Sequence, residues 1–559
     1  MATLTSTWSG QQLSWMLLIL TGIALTQQAA IDKANFYTAG VVEFRRANDD
    51  DWRNNYDGYV EIINSENAKA TDIIVFPEAT LNGLNSTSFV PDPEKNINPC
   101  LEDAEFNYYA EFLVKLSCAA RNVSKYIVIN LSERQLCSDT PEDTRPCAPN
   151  GFNVFNTNVV FDRNGTVVSR YRKVNLYDEP RNTTFIPESI SFETDFNVTF
   201  GHIICFDILF YKPGHELIMD KGIRNFVYPS MWFSQLPFLT AVQTQLGWAY
   251  GNNVNLLAAG ASRPEVGSTG TGIFRGRDGT IVSTMQAGEG ERRLYVAQVP
   301  KYDESSKISS KSIGKPLKKT QKTVNSQELK MKRDNLELYE TVSLDMLMDQ
   351  AEDSSLNKEV CHGQICCQFE LEWNLIGQEP IANNSYYNYR LAAYDGWRDE
   401  KYGNLNYVRN CGIFACNGPN LADCGKLVDK LQPRVAFKRL IIEATYPKSK
   451  EFLFMPNSVL DNLLPLEPNQ FEWSIEELKD ENEQKVRFAL AKSLELQNLL
   501  TFAIYGNYYD DQCTFGKGTP EQDRECGWKP KGDGASGLRF SSFFLLTLSL
   551  TLTILFKQH

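Results

Sequence analysis

An α/β fold, with a layered first domain followed by a cysteine-rich second one, is what this sequence predicts. Strand-like and helix-like stretches alternate through the first 300 residues, the pattern of sheets covered by helices. Gly-containing turns join paired strand-like runs. After about residue 297 the texture changes to a Ser- and Lys-rich stretch, then to short strand-like pieces among clustered cysteines. At 559 residues the chain is also long for one hydrophobic core.

The elements follow in order. Residues 35–44 make a first strand, and 61–70 a helical segment with a polar face. The short apolar run 71–76 is closed by Pro77-Glu78, since Pro is excluded from the middle of a central strand. Helical spacing over 105–121 leads into a strand at 126–131. Residues 137–147 read as an external loop stapled by its own Cys137 and Cys147. Strands at 151–161 and 166–171 flank Asp162-Arg163-Asn164-Gly165, where Asn-Gly signals a hairpin turn with positive φ at both central positions. Residues 199–210 (Thr-Phe-Gly-His-Ile-Ile-Cys-Phe-Asp-Ile-Leu-Phe) read as one buried strand carrying Cys205. A core strand at 254–260 and a hairpin turning at Arg277-Asp278-Gly279 complete the domain. The expected linker, 301–330, is a solvated Ser/Lys segment whose basic run could alternatively contact heparin or a membrane. The second domain, 331–530, starts with strand-like pieces near 336–342 and holds the cysteine-dense 361–424 and an apolar run at 437–444. No internal repeat is evident.

Compartment is read from the ends and the cysteines. Residues 15–25 are an apolar core of secretory-signal length, followed by Thr26-Gln27-Gln28 and Ala29-Ala30. A signal peptide is expected at 1–29, with a signal anchor as the alternative, although the stretch is shorter than a membrane span. Thirteen cysteines, an odd number in an oxidising compartment, point to one free thiol or an intermolecular bridge. Isolated in apolar sequence, Cys205 is the natural unpaired one. Asn-x-Ser/Thr acceptor sites at Asn85, Asn122, Asn164, Asn182, Asn197 and Asn383 fit an extracellular surface. The apolar tail 543–556, preceded by Gly532, Gly534, Ala535, Ser536 and Gly537 and a short spacer, matches a glycolipid (GPI) anchor signal over 531–559. The chain is thus expected on the outer face of the cell membrane. A formal net charge of −13 argues against a nucleic-acid partner. Cys361-His362 with Cys366-Cys367 could be imagined as a metal cluster, but secretion and spacing favour disulfides. With four histidines and no His-Glu-x-x-His stretch, a metal-dependent hydrolase has little support.

Three polar residues end or flank apolar stretches of the first domain: Glu78, Lys173 and Cys205. Taken singly, the Glu and Lys read as solvent-facing strand ends, and Cys205 as a core cysteine or half of a disulfide. Together they make chemical sense. A thiol can attack a carbonyl carbon, a carboxylate can take its proton and later activate water, and an ammonium can stabilise the oxyanion. In a shared pocket, Lys173 should favour the thiolate and Glu78 the ammonium. His202 reads as structural, because alternation along a strand turns it away from Cys205.

On Phe76-Pro77-Glu78, Tyr171-Arg172-Lys173-Val174-Asn175-Leu176-Tyr177 with Glu179-Pro180, and Gly201-His202-Ile203-Ile204-Cys205-Phe206-Asp207-Ile208-Leu209-Phe210, the chain resembles the carbon–nitrogen hydrolase (nitrilase) superfamily. The last two stretches resemble its vanin and biotinidase branch, over roughly residues 33–530. The resemblance implies a four-layer α-β-β-α sandwich with a second, smaller, mainly-β, disulfide-rich domain. It implies Glu78 as general base, Lys173 as oxyanion stabiliser and Cys205 as acylated nucleophile, with the Phe206 backbone N–H helping at the oxyanion. It also implies a small-molecule linear amide as substrate, pantetheine or a biotinyl amide such as biocytin, and no metal or organic cofactor. Glu179 is expected near the pocket without a role in the reaction. Trp232, in Tyr228-Pro229-Ser230-Met231-Trp232, either lines the pocket or fills the core. The competing expectation is a catalytically inactive adhesion or signalling protein on the same scaffold.

Overall fold

The computed structural model describes residues 35–47, 51–102, 108–302, 326–344, 353–376, 386–399 and 405–509. The expected signal peptide, residues 303–325 of the linker, Asn383, Cys513, Cys526 and the apolar C-terminal tail lie outside these residues.

Twelve strands form the large sheet of the first domain: β1 (Phe36–Phe44), β2 (Ile73–Val75), β3 (Tyr126–Leu136), β4 (Phe152–Phe161), β5 (Val167–Arg172), β6 (Ser191–Glu193), β7 (Thr199–His202), β8 (Asn225–Ser230), β9 (Asn255–Ala261), β10 (Thr271–Arg275), β11 (Gly279–Thr284) and β12 (Arg292–Pro300). Their order is β5-β4-β3-β2-β1-β9-β8-β7-β6, with β10 and β11 continuing from β9 and β12 pairing antiparallel with β1. The strands β3, β2, β1, β9, β8 and β7 run parallel.

Period-2 alternation sorts the side chains into layers. Ala39 and Val41 of β1, Ile73 and Val75 of β2, and Val128 of β3 share one core with Phe200 of β7, Val227 of β8 and Leu257 and Ala259 of β9. The intervening residues Val42, Ile74, Ile127 and Ile129 face outward onto the helices Trp52–Ile63 and Glu111–Val123. On the other half, Phe226, Leu256 and Ala258 face the helix Ala241–Asn252. Helix, sheet, sheet, helix is the resulting order, as the resemblance implies.

Two local expectations are corrected. The first helix spans Trp52–Ile63, where the Asp51 side chain accepts the Arg53 N–H at 3.0 Å. Residues 61–70 hold only its last turn and a 3-10 turn at Glu66–Ala68. In the β4–β5 hairpin only Gly165 takes a positive φ, +87°. Its N–H bonds the Asp162 carbonyl at 3.0 Å while Asp162 N–H bonds the Thr166 carbonyl at 2.9 Å. Gly therefore supplies the left-handed position of a three-residue loop, and Asn164 needs none.

The second domain packs two sheets face to face. One contains Glu340–Ser343, Tyr386–Asp399, Leu405–Cys416, Leu499–Tyr508 and Phe452–Leu460; the other contains Asp353–His362, Ile365–Leu375, Val435–Pro447, Glu483–Leu490 and Phe471–Glu477. Phe488 stacks on Phe502 across them with ring centroids 3.8 Å apart. The Cys367–Cys411 disulfide links the same two sheets, while Cys361–Cys366 closes a hairpin and Cys416–Cys424 a loop. In the first domain Cys100 pairs with Cys118, and Cys137 with Cys147 as expected.

This domain docks directly on the first. The helix Ala241–Asn252 is buried on almost every side, against β9 within and against Phe452–Leu460 without. Gly251 permits the approach, because a Cβ there would lie 2.7 Å from the Phe454 carbonyl oxygen. Gln243 Nε2 and Asn457 Oδ1 join across the contact at 2.7 Å. Four residues beyond Cys205, the Leu209 carbonyl accepts from Asn507 Nδ2 at 2.8 Å.

Candidate active site

Glu78, Lys173 and Cys205 each sit just beyond the end of a strand. Glu78 follows β2 through Phe76-Pro77, Lys173 directly follows β5, and Cys205 lies three residues beyond β7. Parallel α/β sheets gather such positions into a crevice at the carboxyl ends of their strands.

Residues 199–210 are not one strand. β7 stops at His202, and Cys205 opens a 3-10 turn, Cys205–Leu209, with φ +47°. A non-glycine residue in the left-handed region is held there by its surroundings. Asp207 supplies the hold. Its Oδ2 accepts Ile204 N–H at 2.9 Å and the Tyr171 hydroxyl at 2.8 Å, and its Oδ1 accepts the backbone and side-chain N–H groups of Asn175 at 2.9 Å. The turn bearing Cys205 is thus bolted to the segment that follows Lys173. The Tyr228 hydroxyl adds a bond to the Cys205 carbonyl at 2.9 Å. Burial pushes the Asp207 carboxyl up to about 6.

Lys173 is the hub of the charged groups. Its Nζ lies 2.8 Å from Glu78 Oε1 and 2.7 Å from Glu179 Oε1. Glu78 Oε1 also accepts from Asn156 Nδ2 at 2.8 Å, and its Oε2 accepts Met231 N–H at 2.7 Å. The same Asn156 amide reaches Glu179 Oε2 at 2.8 Å, and Asn130 Nδ2 holds Asn156 Oδ1 at 2.8 Å. Arg181 braces Glu179 from the far side at 3.3 Å. The two asparagines lie on β3 and β4, Asn130 between the apolar Ile129 and Leu131, and Asn156 at the head of the buried polar run Asn156-Thr157-Asn158. Amides placed in strand-like runs are the sequence signal that could have found them.

Cys205 is the free cysteine among the described residues, and it is buried. Burial pushes its thiol well above the ordinary range, and the nearby Glu78 carboxylate adds to this while Lys173 opposes it. Lys173 does favour the thiolate, as expected, but desolvation and Glu78 outweigh it, and the resting sulfur keeps its proton. For Lys173 the balance goes the other way. Burial disfavours the ammonium, but Glu179 and Glu78 more than offset this and raise it well above its usual value. The carboxyl of Glu179 is buried too, yet Lys173 and Arg181 hold it below the usual range.

The thiol opens on an aromatic cleft walled by Tyr177, Phe206, Trp232, Phe233, Leu209 and Leu239. Both Phe206 and Trp232 lie in this wall, and Trp232 is also anchored by its Nε1–H to the Leu239 carbonyl at 2.9 Å. Polar lining comes from Gln235 and from Arg398 of the second domain. His202 stays outside this cluster. It is fully buried, with Nε2 2.9 Å from Ser169 Oγ, and burial pushes its pKa down to about 3. Of the candidate metal cluster, Cys361 and Cys366 are bonded to each other and Cys367 to Cys411. The described acceptor residues Asn85, Asn122, Asn164, Asn182 and Asn197 are all exposed.

Comparison with known proteins adds to this geometry. The carbon-nitrogen hydrolase family matches residues 45–249, and the vanin C-terminal domain matches residues 329–512. Vanin-like protein 1 of Drosophila melanogaster is 56% identical, over 97% of this chain and 98% of its own. Biotinidase of Takifugu rubripes is 30% identical over 79% of this chain and 85% of its own. Pantetheine hydrolase VNN2 of Homo sapiens is 29% identical over 78% and 79%.

Proposed function

The chain belongs to the vanin and biotinidase branch of the carbon–nitrogen hydrolases, and from that premise we propose that it cleaves a linear amide of a vitamin-derived substrate through a cysteine acyl-enzyme. Hydrolysis of non-peptide carbon–nitrogen bonds is the activity of the branch; the covalent route and the substrate are this proposal. One observation carries it: an unpaired buried thiol on a left-handed turn, opening on a cleft beside the Glu78–Lys173 ion pair.

The protonated resting thiol fixes the order of events. Cys205 Sγ attacks the amide carbonyl carbon as Glu78 takes the thiol proton, so no free thiolate has to exist in a desolvated site. Negative charge develops on the former carbonyl oxygen, where the Lys173 ammonium and the Phe206 N–H stabilise it. Collapse breaks the carbon–nitrogen bond, and Glu78 passes its proton to the departing amine. Glu78 then takes a proton from water as the hydroxide adds to the thioester; release of the acid returns the proton to sulfur. Lys173 remains an ammonium throughout, held by Glu179.

Pantetheine and biocytin both fit a linear amide with a bulky acyl group. Intact-protein mass after brief exposure to each decides between them. The true substrate is expected to leave one pantothenoyl or one biotinyl group on the protein, abolished by prior alkylation of Cys205. Turnover that persists after complete alkylation of Cys205 overturns the nucleophile.

The same proposal places the enzyme outside the cell, carried by the signal at 1–29 and tethered by a glycolipid at 531–559. Five disulfides among the described residues and five exposed acceptor asparagines support that reading. Phosphatidylinositol-specific phospholipase is expected to release intact protein from cells; retention on the cells refutes the anchor.

A further inference from the structure

Arg398 reaches the catalytic cleft from the second domain. It lies near the end of the strand Tyr386–Asp399, is 3% exposed, and lines the same cleft as Cys205. Its position is set by contacts that cross the domain junction. Arg398 Nη2 lies 3.4 Å from Asp334 Oδ1, and Gln235 Nε2 donates to that same oxygen at 3.2 Å. Asp334 is in turn placed by the short parallel pairing of Lys332–Arg333 with Gln235–Leu236, and its N–H donates to the Leu236 carbonyl at 2.8 Å. The two domains thus hold a guanidinium in a cleft that, apart from Gln235 and the Cys205 thiol, is walled by aromatic and aliphatic side chains.

Resting on the hydrolase reading above, we propose that Arg398 is a specificity-determining residue that binds a neutral oxygen acceptor, a hydroxyl or carbonyl, on the acyl part of the substrate. A planar guanidinium offers directional N–H donors that the apolar walls lack. Asp334 already balances its charge, so a substrate carboxylate would bring a second anion into a desolvated site and is disfavoured. A neutral acceptor takes a charge-assisted hydrogen bond without that cost. The pantothenoyl hydroxyls and the biotinyl ureido carbonyl both have this chemistry. The second domain is then part of the substrate site.

The test uses the full-length secreted protein and three 4-nitroanilides: 5-hydroxypentanoyl, hexanoyl and the mono-anilide of adipic acid. The wild type should favour the hydroxyacyl anilide over the hexanoyl one and accept the adipoyl one least. Arg398→Met should reduce the hydroxyacyl-over-hexanoyl preference about tenfold, through KM rather than kcat. Arg398→Lys, which keeps a charged donor, should retain part of that preference and serves alone if the Met variant is not secreted. The same preference in wild type and both variants, or an equal loss of kcat on both anilides, overturns the assignment. A wild-type preference for adipoyl that disappears in Arg398→Met overturns the choice of a neutral acceptor. A wild type that cleaves none of the anilides, pantetheine or biocytin overturns the hydrolase reading itself, which is a different failure.

Discussion

Cys205→Ala is expected to lower amide hydrolysis by at least about 10³-fold while leaving secretion and thermal stability near wild type. The activity loss follows from the covalent route, since no other described thiol is free to form the acyl-enzyme. The retained fold follows from what holds the turn. Asp207 and Tyr228 grip the backbone around residue 205 through Ile204 N–H and the Cys205 carbonyl, and neither contact uses the sulfur. An alanine inherits the same φ of +47°, so the strain of the turn is common to both proteins. The measurements are kcat/KM on the cleaved substrate, a melting curve, and the mass increment after substrate exposure. Residual turnover within about tenfold of wild type would refute covalent catalysis at this position.

Much of this site was legible because its chemistry sits at strand ends. Glu78 is marked by the Pro77 that stops a strand, and Lys173 by the end of a Gly-turned hairpin. Cys205 stands out as the cysteine isolated in an apolar stretch of a chain with an odd number of them, and the structure leaves it unpaired. The turn that presents the thiol was not legible. Residues 199–210 are apolar and β-branched enough to read as one strand, and nothing about a cysteine announces a left-handed backbone. What makes the turn is Asp207, whose partners Tyr171 and Asn175 come from a different segment.

The polar frame behind the ion pair was hidden for a similar reason. Asn130 and Asn156 sit inside strand-like runs, and only the folded sheet brings the Asn156 amide to the carboxylates, with Asn130 behind it. The thiol's protonation state also depends on quantities a sequence does not contain. Lys173 favours a thiolate as pairwise charge logic expects, but burial, added to the charge of Glu78, outweighs it. The place of the second domain was the least visible feature. Its disulfides and strands could be anticipated, but docking along the helix Ala241–Asn252 depends on backbone approaches such as that at Gly251. Arg398 enters the cleft only as a consequence of that docking.

Lys173→Met should damage both stability and catalysis, and the two effects can be separated. In the wild type the ammonium lies between two buried carboxylates, 2.8 Å from Glu78 and 2.7 Å from Glu179. Removing one partner of a buried ion pair costs about 3–5 kcal/mol, because the remaining charges lose their compensation. The carboxylates are also joined through the Asn156 amide, so in the variant one of them must take a proton to relieve the repulsion. That carboxyl then has a folded-state pKa above its unfolded value. Its favourable contribution is complete below the unfolded pKa and is lost as pH rises through the folded one, so the variant should melt higher at pH 5 than at pH 8. In the wild type Glu179 behaves oppositely. Its pKa is lowered, so its contribution is present above the unfolded pKa and is lost as pH falls through the folded one. Adding Glu179→Gln to Lys173→Met removes the surplus carboxylate and should recover much of the melting temperature at pH 8. Activity should not return, because the ammonium that meets the developing oxyanion is still absent, a loss of about 10²–10³-fold. Recovery of both together would mean that Lys173 acts only as a structural counter-ion, with no part in the chemistry at Cys205.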